Sequence, residues 1–185
     1  VMVFKKTINI QPVYGEAYYN RGIALLRLDR DEEAILDFKK VAGLLPENAE
    51  LYFNIGNILK NQGTYNEAIS NYLKALSLRP NYADVHINLG NTFFKLQDYR
   101  NALKHFKMVN TAQSEARCLE CLYIMKEYEK YHARLNSLAK LDNTNINVAA
   151  ISAFVAHQLK QDDPYNFCKN PLDFFYCGNL KNHTS

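Results

Sequence analysis

The sequence predicts an all-α fold, a superhelical α-solenoid of helix–turn–helix repeats, because three residue types recur every 34 positions. The recurring residues are Pro12, Pro46 and Pro80, then Gly22, Gly56 and Gly90, and finally Ala34, Ala68 and Ala102. A fixed period of this length is typical of one helix pair that stacks on copies of itself. We therefore expect three repeats, at 15–48, 49–82 and 83–114, with one elongated core.

The first helix of each repeat is predicted by a stripe at the fourth, seventh, eighth and eleventh positions. On a helix of about 3.6 residues per turn these positions share one face. Glycine occupies the eighth position, where the missing side chain lets the second helix approach closely. We place these helices near 16–28, 50–61 and 84–96. The stripe consists of Tyr18, Arg21, Gly22 and Leu25, then Tyr52, Ile55, Gly56 and Leu59, then His86, Leu89, Gly90 and Phe93.

The second helices are predicted near 31–44, 65–78 and 99–110. Each carries the recurring alanine, expected opposite the glycine, and a large aromatic residue four positions later. These aromatic residues are Phe38, Tyr72 and Phe106. The recurring proline then ends the helix, because proline cannot continue a helix interior. Residues Thr64 to Glu67 read as a capping box, and Gly63 suits the end of the preceding helix.

The middle repeat resembles the tetratricopeptide repeat family. The matching segments are Tyr52-Phe53-Asn54-Ile55-Gly56-Asn57, Tyr65-Asn66-Glu67-Ala68-Ile69 and Pro80. The resemblance covers residues 15 to about 114 and implies a right-handed superhelix with a protein-binding inner face. Two residues depart from the family pattern. Arg21 stands at a usually apolar position, and Ser114 stands where a proline is expected.

The sequence before the three repeats predicts half of another one. Phe4, Ile10 and Pro12 fit the second helix of a preceding repeat within residues 1–14. Because the first helix of that repeat is missing, we expect the chain to be a fragment of a longer protein.

Residues 115–161 are predicted to be a degenerate repeat and a capping helix. A helix pair over Glu115–Met125 and Tyr128–Leu141 would continue the stack, and Asn145 would cap a last helix from Ile146 to about Lys160. Apolar residues of that helix are expected to seal the exposed end of the stack. They are Ile151, Phe154, Val155 and Leu159.

Residues 162–185 are predicted to be an irregular tail, because Pro164 and Pro171 forbid one continuous helix. The tail is nevertheless too apolar for a solvated linker. Its large apolar side chains are Phe167, Leu172, Phe174, Phe175 and Tyr176. Two interpretations stay open. Either the tail docks on the solenoid through these side chains, or it is loosely ordered and contacts a further domain.

The composition argues against several classes of function. The 22 basic and 19 acidic residues give a net charge of +3, which is too balanced to indicate nucleic-acid binding. No apolar stretch approaches the roughly 20 residues of a membrane helix, and no signal peptide is visible. Four cysteines in 185 residues do not make a disulfide framework, so we expect reduced thiols and a cytoplasmic location.

The candidate functional residues lie on the first helices, opposite the apolar stripe. Asn20, Asn54 and Asn88 form a row at the 34-residue spacing. An asparagine amide has donors and an acceptor, so such a row can bind the backbone of an extended peptide. The row is similar to that in the repeats of the O-linked N-acetylglucosamine transferases; alternatively, asparagine is merely frequent in this family. The predicted groove residues are Tyr19, Asn20, Ile23, Arg27, Phe53, Asn54, Asn57, Lys60, Ile87, Asn88, Asn91, Phe94 and Lys95.

The side chains beside this row predict a partly apolar peptide partner of unknown identity. Relatives that bind chaperone C-termini carry a lysine at the fifth position of the first helix, which is Tyr19, Phe53 and Ile87 here. A carboxylate clamp is therefore not expected. Exposed aromatic residues such as Phe94 are frequent interface anchors, and packing against a neighbouring repeat is the alternative interpretation.

No catalytic residue, metal or cofactor is predicted, because the sequence carries no recognisable catalytic or phosphate-binding motif. Cys118 and Cys121 with Cys168 and Cys177 would supply four thiolates for zinc. The first two stand in an apolar helical stripe, however, and buried reduced cysteine is the commoner explanation.

Two functions are compatible with these features. The first is a non-catalytic protein–protein interaction module that binds an extended peptide in its concave groove. The second is the substrate-recruiting region of a larger enzyme, an oxygenase or a glycosyltransferase, whose catalytic domain lies beyond Ser185. Residues Asn166–Phe174 are similar to a connector before a 2-oxoglutarate/iron oxygenase domain in other tetratricopeptide repeat proteins. Self-association through exposed repeat ends is a third interpretation.

Overall fold

A computed structural model describes residues 1–4, 14–141 and 145–160, and all regular secondary structure in these ranges is helical. The helices are α1 (Gly15–Leu26), α2 (Asp31–Leu44), α3 (Ala49–Asn61), α4 (Tyr65–Leu78), α5 (Ala83–Lys95), α6 (Tyr99–Phe106), α7 (Ala112–Ile124), α8 (Tyr128–Leu141) and α9 (Ile146–Leu159). Residues 2–4 are also helical. Within the described ranges, no helix is long and apolar enough to cross a membrane. The predicted all-α fold class is confirmed.

The helix starts confirm the 34-residue period. First helices begin at Gly15, Ala49 and Ala83, and second helices begin at Asp31, Tyr65 and Tyr99. The chain forms two compact units, Val1–Thr92 and Phe93–Ser185, and the division falls within α5. In the first unit, α1 packs on α2, α3 packs on α4, and α2 also contacts α3. In the second unit, α7 contacts α6, α8 and α9.

The glycine at the eighth position makes room for an aromatic ring. A Cβ atom at Gly22 would lie 2.5 Å from the Phe38 ring, and one at Gly56 would lie 2.5 Å from the Tyr72 ring. Both distances are shorter than real Cβ contacts, so the glycines allow the two helices to pack. The nearest atoms thus belong to the ring, and not to the alanine that the sequence predicted to lie opposite the glycine.

Arg21, which departs from the family pattern, forms an ion pair within the first repeat. Its guanidinium donates to both carboxylate oxygens of Asp37, from Nε at 2.7 Å and from Nη2 at 2.5 Å. Asp37 is only 3% exposed. The hydrogen bonds to this carboxylate raise the pKa of Arg21 further. An acidic partner on α2 therefore explains the charged side chain at a usually apolar position.

The turn between the helices of a repeat contains a left-handed residue. The φ angle is 55° at Asp29, 79° at Gly63 and 62° at Gln97, three positions 34 residues apart. The expected role of Gly63 at the end of α3 is confirmed. The capping box predicted at Thr64 is wrong, because the Thr64 hydroxyl donates backwards to the carbonyl of Leu59 at 2.9 Å.

The third and fourth helix pairs depart from the predicted register. Helix α6 ends at Phe106 rather than near 110, and α7 begins at Ala112 rather than at Glu115. Thr111 and Ser114 form a capping box, in which each side chain accepts a hydrogen bond from the backbone of the other. Ser114 stands where the family has a proline, so it helps to start a helix instead of following the end of one.

The last described helix confirms the helix predicted from Ile146 and its N-cap at Asn145. Asn145 accepts a backbone hydrogen bond from the first turn of α9 at 3.1 Å. Val155 is 1% exposed, and Ile151 and Leu159 pack against the hydrophobic cluster of the second unit. Phe154 is covered only in part: its side chain is 51% exposed, and its ring contacts Tyr123 edge-on with the centroids 6.2 Å apart. Successive helical residues point about 100° apart, so Phe154 is less buried than its neighbour Val155.

Two predicted segments lie outside the described residues. These are most of the half repeat within residues 1–14 and the whole tail at 162–185, including Cys168 and Cys177. The boundaries assigned to the repeats, the cap and the tail stay predictions.

Candidate functional site

A hydrogen bond joins two predicted groove residues, Tyr19 on α1 and Asn54 on α3. The Asn54 Nδ2 atom donates to the Tyr19 hydroxyl at 3.3 Å. Burial, the charge of Glu50 and a hydrogen bond to Glu50 raise the pKa of Tyr19 to about 12. The phenol therefore stays protonated near neutral pH.

Phe53 on α3 lies between two tyrosine rings. Its ring centroid is 6.2 Å from that of Tyr72 and 5.2 Å from that of Tyr82. The Arg79 guanidinium lies over Tyr82, 4.5 Å from the ring centroid, which is cation–π geometry. Phe53 remains partly exposed. It therefore packs within the repeat and also offers apolar surface, which combines the two interpretations that the sequence left open.

Two further groove asparagines accept hydrogen bonds through their side-chain oxygens. The Tyr72 hydroxyl donates to Asn57 Oδ1 at 2.7 Å, and the Lys60 ammonium donates to Asn88 Oδ1 at 2.9 Å. Burial raises the pKa of Tyr72 and lowers the pKa of Lys60. Both donor groups are at least partly buried, and each donates to the oxygen of one asparagine amide.

The first unit brings the central groove residues into hydrogen-bonded or aromatic contacts. They are Tyr19, Phe53, Asn54, Asn57, Lys60 and Asn88. Asn20 and Arg27 are exposed, and Ile23, Ile87 and Asn91 are half-buried. Phe94 and Lys95 belong to the second unit. There the Phe94 ring contacts Tyr99 edge-on at 5.2 Å.

The predicted groove residues did not include three residues that lie beside them in the structure, namely Glu50, Arg79 and Tyr82. Glu50 stands at the second position of its repeat, and the equivalent positions of the other two repeats are also acidic. Acidic residues stabilise the first turn of a helix, so this pattern does not by itself indicate a binding surface. Arg79 and Tyr82 lie between α4 and α5, beside the proline that ends the repeat. A search confined to the first helices could not find residues in that connection.

The described residues show no group of histidine, cysteine or acidic side chains that would hold a metal ion. Cys118 and Cys121 are free thiols buried in α7. Burial raises the pKa of Cys118 to about 11 and that of Cys121 to about 12. The prediction that these two cysteines lie in a buried helical stripe is confirmed.

The second unit has a shallow groove of about 420 Å³ between α7 and α9. Ile151 and Phe154 line one side, and Arg117 and Glu120 line the other. Arg117 donates to Glu120 at 2.8 Å and also lies 4.9 Å from the centroid of the Phe94 ring. The groove thus has an apolar wall and a wall whose charges are paired.

Two sequence models of repeat families match the chain. A model described as "Tetratricopeptide repeat" matches residues 4–49, and one described as "TPR repeat" matches residues 56–97. Residues 4–49 and 56–97 are therefore tetratricopeptide repeat sequence. This agrees with the 34-residue period of the helix starts.

Several solved structures are similar to the chain in fold. A MamA double mutant is 20% identical over 89% of this chain and 96% of its own, with a TM-score of 0.74. YrrB, described as a TPR protein with an unusual peptide-binding site, is 19% identical over 88% and 87%, with a TM-score of 0.71. PilF of Pseudomonas aeruginosa is 21% identical over 96% and 83%, with a TM-score of 0.68. At such identities the likeness shows the fold alone. No curated protein sequence matches the chain.

Proposed function

We propose that the chain is a non-catalytic protein–protein interaction module that binds an extended peptide along the groove face of α1, α3 and α5. The observation that carries this proposal is the arrangement of Asn54, Asn57 and Asn88. Each amide uses one of its groups within the chain, and an amide has capacity for further hydrogen bonds. Phe53 beside them supplies apolar surface for the side chains of a partner.

The similar structures support this class of function. YrrB is described by its peptide-binding site, and its fold is shared with this chain. Repeat solenoids generally present long surfaces for protein partners. We place the chain in the cytoplasm, with protein partners and without nucleic acid, on the grounds of its balanced charge and reduced cysteines.

The proposal is tested with peptides selected from a random phage-displayed library against the wild-type chain. The double variant Asn54→Ala/Asn88→Ala should weaken binding of a selected peptide by about tenfold to thirtyfold, because two hydrogen bonds are lost. Asn66→Ala, which changes an exposed asparagine on α4, is the matched control. Titration calorimetry measures the affinities, and equal affinity of the double variant and the control would contradict the proposal.

A substrate-recruiting region of a larger oxygenase or glycosyltransferase is the alternative function. The oxygenase form rests on residues Asn166–Phe174, which lie outside the described ranges. The gene sequence downstream of Ser185 tests it. A His-x-Asp motif followed by a distant histidine would support the oxygenase, and an open reading frame that stops there would exclude it.

Self-association through an exposed apolar surface of the first repeat is a third candidate function. Leu36 is one of the exposed large apolar residues, and it borders a groove of about 510 Å³ with Val1, Arg21 and Leu25. Sedimentation equilibrium tests this function. A concentration-dependent dimer that Leu36→Glu abolishes would support self-association at this surface.

A further inference from the structure

We propose that Tyr19 and Lys60 are positioning residues, which turn the amides of Asn54 and Asn88 in opposite senses so that the groove reads the direction of a peptide backbone. Asn54 would then present an acceptor to the partner, and Asn88 would present donors. This inference rests on the proposed peptide-binding function. It assigns Tyr19 and Lys60 a role within the chain, distinct from the direct peptide contacts predicted for them from the sequence.

Lys60 fixes the direction of Asn88 through simple donor chemistry. A lysine ammonium carries three donors and no acceptor, so it can face only the oxygen of an amide. The 2.9 Å contact from Lys60 Nζ to Asn88 Oδ1 has this sense. Because the oxygen is held by Lys60, the Asn88 Nδ2 group is turned to the other edge of the amide. The Lys60 side chain is half-buried, which limits its alternative positions.

Tyr19 fixes Asn54 in the opposite sense. The Tyr19 hydroxyl oxygen accepts a hydrogen bond from Asn54 Nδ2 at 3.3 Å. The charge of Glu50 contributes to the raised pKa of Tyr19, so the phenol keeps its own proton near neutral pH. The Asn54 oxygen is therefore turned away from Tyr19.

The amide of Asn57 on α3 is also oriented by a hydrogen bond within the chain. The buried Tyr72 hydroxyl donates to Asn57 Oδ1, so Asn57 presents its amide hydrogens in the same way as Asn88. The groove thus offers an acceptor at Asn54 and donors at Asn57 and Asn88. Reversal of an extended peptide exchanges the positions of its N–H and C=O groups. The predicted partner is consequently an extended main chain that binds in one direction, with N–H towards Asn54 and carbonyls towards the other two.

The orientation of Asn88 is tested first without any ligand, by NMR of the side-chain amides. Lys60→Arg keeps a donor-only group and should leave the Asn88 side-chain signals close to their wild-type positions. Lys60→Glu replaces it with an acceptor and should invert the amide, which shifts the Asn88 Nδ2 protons downfield. Lys74→Glu on the outer surface of α4 controls for the charge change. Equal Asn88 signals in Lys60→Arg and Lys60→Glu would overturn the proposal.

The consequence for binding is tested with a peptide selected from a random library against the wild-type chain. Lys60→Arg should bind it within about twofold of wild type, whereas Lys60→Met and Tyr19→Phe should bind about threefold to tenfold more weakly, as expected for one misplaced hydrogen bond. Thermal melts confirm that each variant is folded before its affinity is compared. Lys60→Met removes the donor without adding an acceptor, so it separates the loss of orientation from charge repulsion.

Single backbone esters in the same peptide locate the partner group. An ester that removes the N–H facing Asn54 should weaken binding to wild type and have little effect on Asn54→Ala, because the contact is already lost. If Asn54→Ala and Asn88→Ala do not weaken binding, the proposed function fails. If they do, but Lys60→Arg and Lys60→Met bind equally, only the positioning role fails.

Discussion

Arg21 and Asp37 illustrate how a single residue can break the repeat pattern without breaking the repeat. Asp37 is 3% exposed, and its carboxylate accepts two hydrogen bonds from Arg21. Removal of one partner leaves an uncompensated buried charge, whereas replacement of both by apolar side chains is often neutral. The ion pair therefore adds little net stability, but the loss of either residue alone destabilises the fold.

We expect Arg21→Met to lower the free energy of unfolding by about 2 kcal/mol or more, because Asp37 then loses both donors. The double variant Arg21→Met/Asp37→Leu should recover most of that loss. Urea unfolding followed by circular dichroism measures both. Arg30→Met, which removes an exposed ion pair with Glu33, should cost less than about 0.5 kcal/mol. Equal losses in the single and double variants would contradict this account.

The thiols of Cys118 and Cys121 are expected to resist alkylation in the folded chain. Their pKa values of about 11 and about 12 leave almost no thiolate at pH 8, and both side chains are buried. Mass spectrometry after iodoacetamide treatment should find them unmodified until urea unfolds the protein. Rapid labelling of either thiol in native buffer would show that α7 opens readily.

The same thiols predict the direction of the alkaline stability change. An unfolded cysteine has a pKa of about 8.5, so the unfolded chain loses these protons first as the pH rises. Their contribution to stability is therefore complete below that pH and is lost as the pH approaches the folded pKa values. Urea midpoints at pH 8 and pH 10 should fall less for Cys118→Ala/Cys121→Ala than for wild type.

At the scale of helices and turns, two glycines predict opposite effects of one substitution. Gly63 has a φ of 79°, whereas Gly43 lies inside α2. Among the described residues, no heavy atom lies within 4 Å of a Cβ atom added at either glycine. Gly63→Ala should destabilise by about 1 kcal/mol because alanine is strained in the left-handed region, and Gly43→Ala should stabilise by a similar amount. Loss of stability in both variants, measured by thermal melts, would contradict the assignment of the turn.

The same turn predicts a stabilising change at Gln97, which has a φ of 62° at the position equivalent to Gly63. Gln97→Gly should raise the free energy of unfolding by about 0.5–1 kcal/mol, because glycine adopts this conformation without strain. Gln62→Gly, next to Gly63 but with a φ of −75°, should lower stability instead. An increase in both variants would show that the backbone conformation is not the cause.

The sequence predicted helix positions better than their ends and side-chain bonds. Helix starts follow from the 34-residue period and the apolar stripe, which are local patterns. The Thr64 cap and the end of α6 were predicted wrongly, because each depends on a competing contact in the folded chain. For the candidate site, the sequence supplied the asparagine row but not the amide directions. Those directions are set by Tyr19, Tyr72 and Lys60, which reach the row from other helices or other turns.

At the scale of the whole molecule, repeat architecture limits how far a perturbation spreads. Each repeat contacts mainly its neighbours, so stability is approximately a sum of local terms. The described contacts agree with this principle, since α1 to α4 lie in one compact unit and α6 to α9 lie in the other. A destabilising substitution in α9 should therefore lower the free energy of unfolding of the second unit more than that of the first.

Val155 and Phe154 provide a matched pair for this test, because they are adjacent in α9 but 1% and 51% exposed. Val155→Asp places a charge in the cluster of the second unit and should destabilise that unit by about 3 kcal/mol or more. Phe154→Asp should have a much smaller effect. Hydrogen exchange with mass spectrometry should show faster exchange in α7, α8 and α9 of Val155→Asp, while α1 to α4 stay protected. Equal acceleration in all of these helices would show instead that the chain unfolds as one cooperative structure.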